Sequence, residues 1–277
     1  MAALGRPTPQ PRREHGEGPR YHDKDVSEFA SPNANPYVTS HRTFGRPVLT
    51  GAEAWGVGYD WTTEFGREAP LHLEIGSGNG FFLAGMAARH TDWNFVGVEL
   101  RYKRVILCAT KLRKQGSTNA RIARYHAAYL DDLFQPDTLS GIYINHPDPW
   151  PKERHDKNRL ISRWFLEDAC RLLKPGGWLR LKSDHLPNIT RVAELLAADS
   201  EGNPLPTLPL RIVATADDVT TGPAPWPDDI ETNYQKKFRE RGLPVYALEA
   251  VRTEGEVIGP NPWERAQPDG HPGGSDD

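Results

Sequence analysis

Cysteine is nearly absent: Cys108 and Cys170 are the only two in 277 residues. Each falls inside an amphipathic helical pattern, so the two read as buried small hydrophobes rather than a disulfide or a metal pair. Long apolar runs are missing too. No stretch approaches the 18 consecutive apolar residues of a membrane-spanning helix. The opening "MAALGRPTPQPRREHGEG" lacks the apolar stretch of a secretory signal. Together these absences predict a cytoplasmic protein. No cluster of side chains has metal-ligand spacing, so no metal is expected. No internal repeat is present.

What is there suffices for one large α/β domain with ragged ends: 37% of residues are apolar and 26% charged. Residues 1–40, rich in Pro, Gly, Arg and His, read as a disordered N-terminal tail, and residues 258–277 as a disordered C-terminal one. Between them, over 41–257, short apolar runs alternate with helical periodicity. Strands are expected at 71–75, 94–100, 120–125, 140–146, 177–183, 210–215 and 245–253. A helix is expected from Phe81 to Arg89, and others carry Val105, Ala109 and Leu112, then Ile161, Trp164, Phe165 and Leu172, then Ile189, Val192, Ala193 and Leu196. "LLKPGG" stops the third of these. Such alternation predicts a doubly wound, parallel, Rossmann-like sheet of about seven strands with helices on both faces.

The net charge of −3 argues weakly against a nucleic-acid partner, but the distribution argues for one. Residues 101–124 hold eight Lys/Arg and no acid, and residues 152–163 hold five Lys/Arg against Glu153 and Asp156. A local basic surface can bind phosphates while the whole chain stays near neutral. An ordinary solvated helix face explains the same charges.

In "LEIGSGNGFF", Gly76, Gly78 and Gly80 fall between the first strand and a helix. Glycines there permit a tight turn and close backbone approach to a ligand. No Gly-Lys-Ser/Thr follows, which excludes a P-loop. Glu74 lies inside the strand end, and Glu99 closes the second strand, where an acid can accept from both ribose hydroxyls. With "LLKPGG" before the fifth strand, the arrangement resembles the class I S-adenosyl-L-methionine-dependent methyltransferases over roughly residues 70–215. A dehydrogenase is the competing reading of the glycine turn.

"INHPDPWPKERHDKNR", residues 144–159, follows the fourth strand. Pro147 has a fixed φ, and Pro149 biases Asp148 towards extended backbone, so the carboxylate is aimed by covalent stiffness. The basic run Lys152, Arg154, Lys157 and Arg159 suits phosphates. This string, together with "TNYQKKFRERG" (Thr232, Tyr234, Lys237, Phe238, Gly242), is similar to the two signatures of the tRNA (guanine-N7-)-methyltransferase family. The resemblance extends over about residues 70–250. It implies methyl transfer from S-adenosyl-L-methionine to N7 of the guanine at position 46 in the variable loop of tRNA. It also implies that Glu74, Gly76, Gly78, Glu99, His126 and Asp148 lie at the cofactor. Asp148 is the implied catalytic residue, and Lys152, Arg154, Asp184, Thr232, Asn233, Tyr234 and Gln235 would meet the substrate.

Three residues depart from the family pattern. His126 stands where an acid beside the adenine is common, Gln235 where Glu is usual, and His146 where an aromatic or apolar residue precedes Pro147. N7 of guanine already carries a lone pair, so in-line transfer needs no general base. Two rivals remain. One is a related methyltransferase acting on an exocyclic or amide nitrogen of RNA or protein, through a loop of which "DPWP" is a near relative. The other is a non-catalytic tRNA-binding protein with the same fold. A monomer and a homodimer are both compatible with the sequence.

Overall fold

The computed structural model describes Tyr21, Asp23 and residues 35–57, 60–150, 159–197 and 208–255. Eight strands form one sheet: β1 Val48–Leu49, β2 Leu71–Ile75, β3 Asn94–Glu99, β4 Ala120–Arg124, β5 Leu139–Asn145, β6 Leu173–Ser183, β7 Leu210–Ala216 and β8 Tyr246–Arg252. Their order across the sheet is β1-β4-β3-β2-β5-β6-β8-β7. The helices are α1 Pro36–Thr43, α2 Gly51–Gly56, α3 Trp61–Phe65, α4 Phe81–Arg89, α5 Tyr102–Lys114, α6 Arg163–Leu172, α7 Leu186–Ala197 and α8 Asn233–Glu240. From β2 the chain winds outward through β3 and β4, then returns to β5 on the other side. The crevice at the carboxyl ends of β2 and β5 is therefore the switch point where such sheets bind ligands.

The central strands are buried on both faces, as parallel strands between helices must be: Leu71 to Ile75 are all buried, and Asn94 to Val98 likewise. Gly80 closes the turn into α4 with φ 73°. A Cβ there would lie 2.4 Å from Cys108 Sγ and 2.8 Å from Cys108 Cα, so this glycine lets α4 and α5 touch. Cys108 and Cys170 are both free and buried, as small hydrophobes should be. Burial pushes the Cys170 thiol up to about 11, and that of Cys108 well above its ordinary range, so neither is a reactive thiolate.

Two expectations need correction. The sheet is mixed, not parallel: β8 runs antiparallel to both β6 and β7. The connection after β7 carries α8 and does not cross back over the sheet, so β8 must start at the end where β7 stops. That detour holds residues 217–245 at the carboxyl end of the sheet, beside the crevice. The eighth strand is the two-residue β1, which pairs with β4 at the edge. The boundary at residue 40 also moves, since α1 begins at Pro36. Asn35 caps that helix by accepting from the Tyr37 N–H at 3.0 Å, and Pro36 occupies the first turn.

A ring stack fills the opposite side of the central strands. His72 packs against both Trp93 (centroids 4.3 Å apart) and Trp178 (5.4 Å), is fully buried, and has no hydrogen-bond partner on either ring nitrogen. Burial holds it neutral, with its pKa lowered from 6.5 to about 3. The unfolded chain protonates this histidine below 6.5 while the folded one does not. Stability is therefore complete above 6.5 and falls as the pH drops towards 3, by on the order of 5 kcal/mol at the limit. Urea melts of the His72→Leu variant between pH 7 and 4 should show a shallower acid loss than the parent. Equal slopes would exclude His72 as the cause.

Candidate active site

The crevice collects most of the residues singled out in the sequence. Gly76 and Gly78 both have positive φ, 73° and 53°, as the tight turn after β2 requires. A Cβ on Gly76 would meet nothing within 4 Å, so this part of the turn faces open space. Glu99, at the end of β3, clamps the turn: its Oε2 accepts from the Gly78 N–H at 2.9 Å, and its Oε1 accepts from Leu100 and Arg101 N–H at 2.9 and 3.0 Å. A carboxylate has about four lone-pair sites, so Glu99 retains capacity towards a ligand.

Glu74 is almost fully buried beneath the turn. Its Oε1 accepts from Asn145 Nδ2 at 3.1 Å, while its Oε2 is buried with no hydrogen-bond partner. Burial pushes its pKa up to about 7, with Ser77, Asn145 and Lys182 nearby pulling the other way. An orphaned carboxylate oxygen at the floor of an open glycine turn suits a cationic ligand, which would restore the ionised form.

His126 follows β4 at the same end. Its Nδ1 accepts from the Ala128 N–H at 3.0 Å, which opens a 3-10 turn at Ala127–Asp132. The side chain that replaces the expected acid thus has a local structural task. Beside it, Tyr21 packs on Tyr125 and His126 at 5.8 and 5.9 Å between centroids.

Asp148 is exposed on the loop after β5, and its backbone is held on both sides. The His146 N–H donates to Lys182 O at 2.8 Å, Asn188 Nδ2 donates to Pro147 O at 3.3 Å, and Arg159 Nε donates to Trp150 O at 2.9 Å. His146 and Trp150 both have positive φ, 52° and 38°, so the chain reverses sharply at either end of Pro147–Pro149. Lys152, Arg154, His155 and Lys157 lie outside the described residues.

The detour between β7 and β8 brings α8 to the same place. Thr232 caps α8 by accepting from the Gln235 N–H at 2.9 Å. Asn233 and Tyr234 are exposed, and Asp184, just past β6, is half-buried. Gln235, expected to meet the substrate, does not face solvent. It is 4% exposed, accepts from Lys182 Nζ at 3.1 Å, and donates through Nε2 to Val219 O at 2.9 Å. Here the amide is the fitting residue, because a carboxylate could not donate to that carbonyl.

Two side chains of the site escaped the reading of the sequence. Lys182 is 1% exposed and holds both oxygens of Asp229, at 2.8 and 3.0 Å. It also donates to Ile230 O at 2.8 Å, so it seats the segment leading into α8. His146 was visible only as a departure without a role. Its Nδ1 lies 3.4 Å from Asp184 Oδ1 and its Nε2 lies 3.1 Å from Thr232 Oγ1. A lysine in a run of apolar strand residues signals a buried partner, but nothing in the sequence names Asp229 as that partner.

The basic stretch 101–124 is in part internal. Arg113 donates to Phe44 O, Arg121 bonds Glu64, and Arg124 packs over Tyr102 at 4.0 Å and lies 3.5 Å from Asp23. Those three guanidiniums fasten α1, α3 and the segment around Tyr21. Arg101, Lys103, Arg104, Lys111 and Lys114 remain as candidates for a phosphate track. Among the described residues, no group of three His, Cys, Asp or Glu could hold a metal ion. No helix among them is long and apolar enough to cross a membrane.

A doubly wound sheet with a glycine turn after its central strand, an acid closing the next strand, and an acid past β5 is the architecture of a Rossmann-like methyltransferase. The comparisons agree: residues 68–248 match the family described as "Putative methyltransferase". The tRNA (guanine-N(7)-)-methyltransferase of Listeria monocytogenes is 35% identical over 190 residues, covering 69% of this chain and 84% of that protein. The protein of the same name from Geobacillus kaustophilus is 34% identical over 192 residues, covering 69% and 83%. Among solved structures, the 16S rRNA methyltransferase KamB superposes with a TM-score of 0.51 at 13% identity, over 70% of this chain and 93% of that one, which speaks for the fold alone. The chain belongs to the tRNA (guanine-N(7)-)-methyltransferase family.

Proposed function

We propose that this protein methylates N7 of a guanine in tRNA, at position 46 of the variable loop, with S-adenosyl-L-methionine as methyl donor. The observation that carries the reading is the convergence of the open Gly76 turn, Glu74, Glu99 and Asp148 at one end of the sheet, with Asp184, Thr232 and Tyr234 beside them. The donor supplies a methyl group on a sulfonium. Glu99 would accept from its ribose hydroxyls, the turn from Gly76 to Gly78 would let it approach the backbone, and Glu74 would balance its positive charge. His126 would lie towards its adenine end.

The chain has no proton to remove. The N7 lone pair is available, so its task is in-line positioning and the placement of charge. As the methyl arrives, positive charge enters the purine, and its N1–H and N2–H₂ groups become stronger donors. Asp148 and Asp184 offer carboxylate oxygens to such donors. Asp184 is ionised for this purpose: the hydrogen bond from His146 holds its carboxyl below the usual carboxylate range.

The reading is tested by incubating the protein with radiolabelled S-adenosyl-L-methionine and unmodified tRNA, then mapping the labelled nucleoside. 7-Methylguanosine in the variable loop is expected. Label on adenine or on protein would favour the related methyltransferases, and cofactor binding without transfer would favour a non-catalytic tRNA-binding protein. Glu99→Ala should weaken S-adenosyl-L-methionine binding about 10- to 100-fold by calorimetry, since hydrogen bonds to a charged group are worth about 1.5–3 kcal/mol. An unchanged dissociation constant would remove Glu99 from the site.

A further inference from the structure

We infer that His146 is a positioning residue of the guanine pocket, tying together three separate chain segments that present groups to the base. This rests on the proposed function and deepens it. The segments are the loop after β5 that carries Asp148, the turn after β6 that carries Asp184, and the start of α8 with Thr232 and Tyr234. One imidazole reaches all three. Its Nδ1 approaches Asp184 Oδ1, its Nε2 meets Thr232 Oγ1, and its face lies 4.8 Å from the Tyr234 ring between centroids. Tyr234 in turn stacks on Phe238 at 5.2 Å and stays 49% exposed, an aromatic surface open to a base.

The hydrogen-bond roles follow from the partners. Asp184 can only accept, so Nδ1 carries a proton and donates to it. Thr232 Oγ1, which accepts from the Gln235 N–H, pairs with Nε2. Partners on both ring nitrogens fix the ring and leave the second oxygen of Asp184 for a base donor. The backbone agrees with the side chain: His146 sits at φ 52°, a region that histidine enters more readily than bulky residues, and this reversal starts the Pro147–Asp148 presentation. An apolar residue at this place would lack both ring nitrogens and could bridge neither Asp184 nor Thr232.

The test compares His146→Phe, His146→Asn and His146→Gln on unmodified tRNA. Phe keeps the ring and loses both nitrogens. Asn tolerates the positive φ and keeps a donor near the Nδ1 position, while Gln reaches towards the Nε2 position. His146→Phe is expected to lower kcat about 10- to 100-fold, as misplacement of a reacting group by an ångström does. S-adenosyl-L-methionine affinity should stay within about twofold, the bulky ring at positive φ should lower the Tm only modestly and the Asn variant less so, and Asn and Gln should each recover part of kcat. Unchanged kcat in the Phe variant would overturn the proposal. So would a kcat loss accompanied by equal losses of Tm and cofactor affinity, because that marks a merely structural residue. Wild-type protein run in parallel separates the two claims. If it methylates another nucleoside, the functional reading fails, and the His146 proposal stands or falls on the same kcat ratio for that substrate.

Discussion

Asp148→Asn is expected to lower kcat about 10²–10³-fold, the range seen when one preorganised electrostatic partner of a transition state is removed. Binding of S-adenosyl-L-methionine should change less than about threefold, because an amide fills the same space and only the charge is lost. The structure separates the two effects. Asp148 is exposed, and its loop is fixed through the backbone, by His146 N–H on Lys182 O, Asn188 on Pro147 O and Arg159 on Trp150 O. None of those bonds uses the carboxylate, so the loop survives the substitution and the Tm should not move. The charge matters only as the purine becomes cationic, which is why the loss belongs in kcat rather than in cofactor affinity. Single-turnover rates with saturating tRNA, beside cofactor calorimetry, check both halves. Full turnover in the Asn variant would place the catalytic charge elsewhere, and Asp184 is the carboxylate nearest in kind.

The half of the fold that builds the glycine turn was readable residue by residue. β2 spans Leu71–Ile75 and α4 spans Phe81–Arg89, where an apolar run, three glycines and a helical period meet without competition. β8 was readable as a strand but not in its direction, because a period of two carries no polarity. α8 went unrecognised: most of Asn233–Glu240 is polar, and its seating residue is Gln235, which reads as a surface residue until Lys182 is placed beneath it. The asparagine and proline at 35 and 36 are a helix start, yet the composition around them favoured a tail. The site divides the same way. Glu74, Glu99 and Asp148 lie on local signals, a strand end or a proline frame. The roles of His146 and Gln235 depend on partners 86 and 53 residues away, which no window of sequence contains.

Lys182→Met should cost about 3–5 kcal/mol, the usual penalty for leaving one member of a buried ion pair behind. Lys182 is 1% exposed, and burial lowers its pKa, with Asp229 pulling the other way. Without the ammonium, both Asp229 oxygens, Ile230 O and Gln235 Oε1 lose their donor, and only Trp226 Nε1 still reaches Asp229, at 3.3 Å. For a domain of this size the loss corresponds to a Tm about 10 °C lower. Asp229→Asn on top of Lys182→Met should recover much of it, since the stranded carboxylate is then gone. Activity should fall with stability in this variant, because the same lysine seats the segment that delivers Thr232 and Tyr234 to the crevice. That joint loss is the opposite of the Asp148→Asn signature, in which turnover alone moves. Calorimetric melting and kcat measured on the same preparations distinguish them. A Lys182→Met protein that melts within a degree or two of the parent would mean that β8, Phe238 and the cap at Thr232 hold α8 in place without the buried pair.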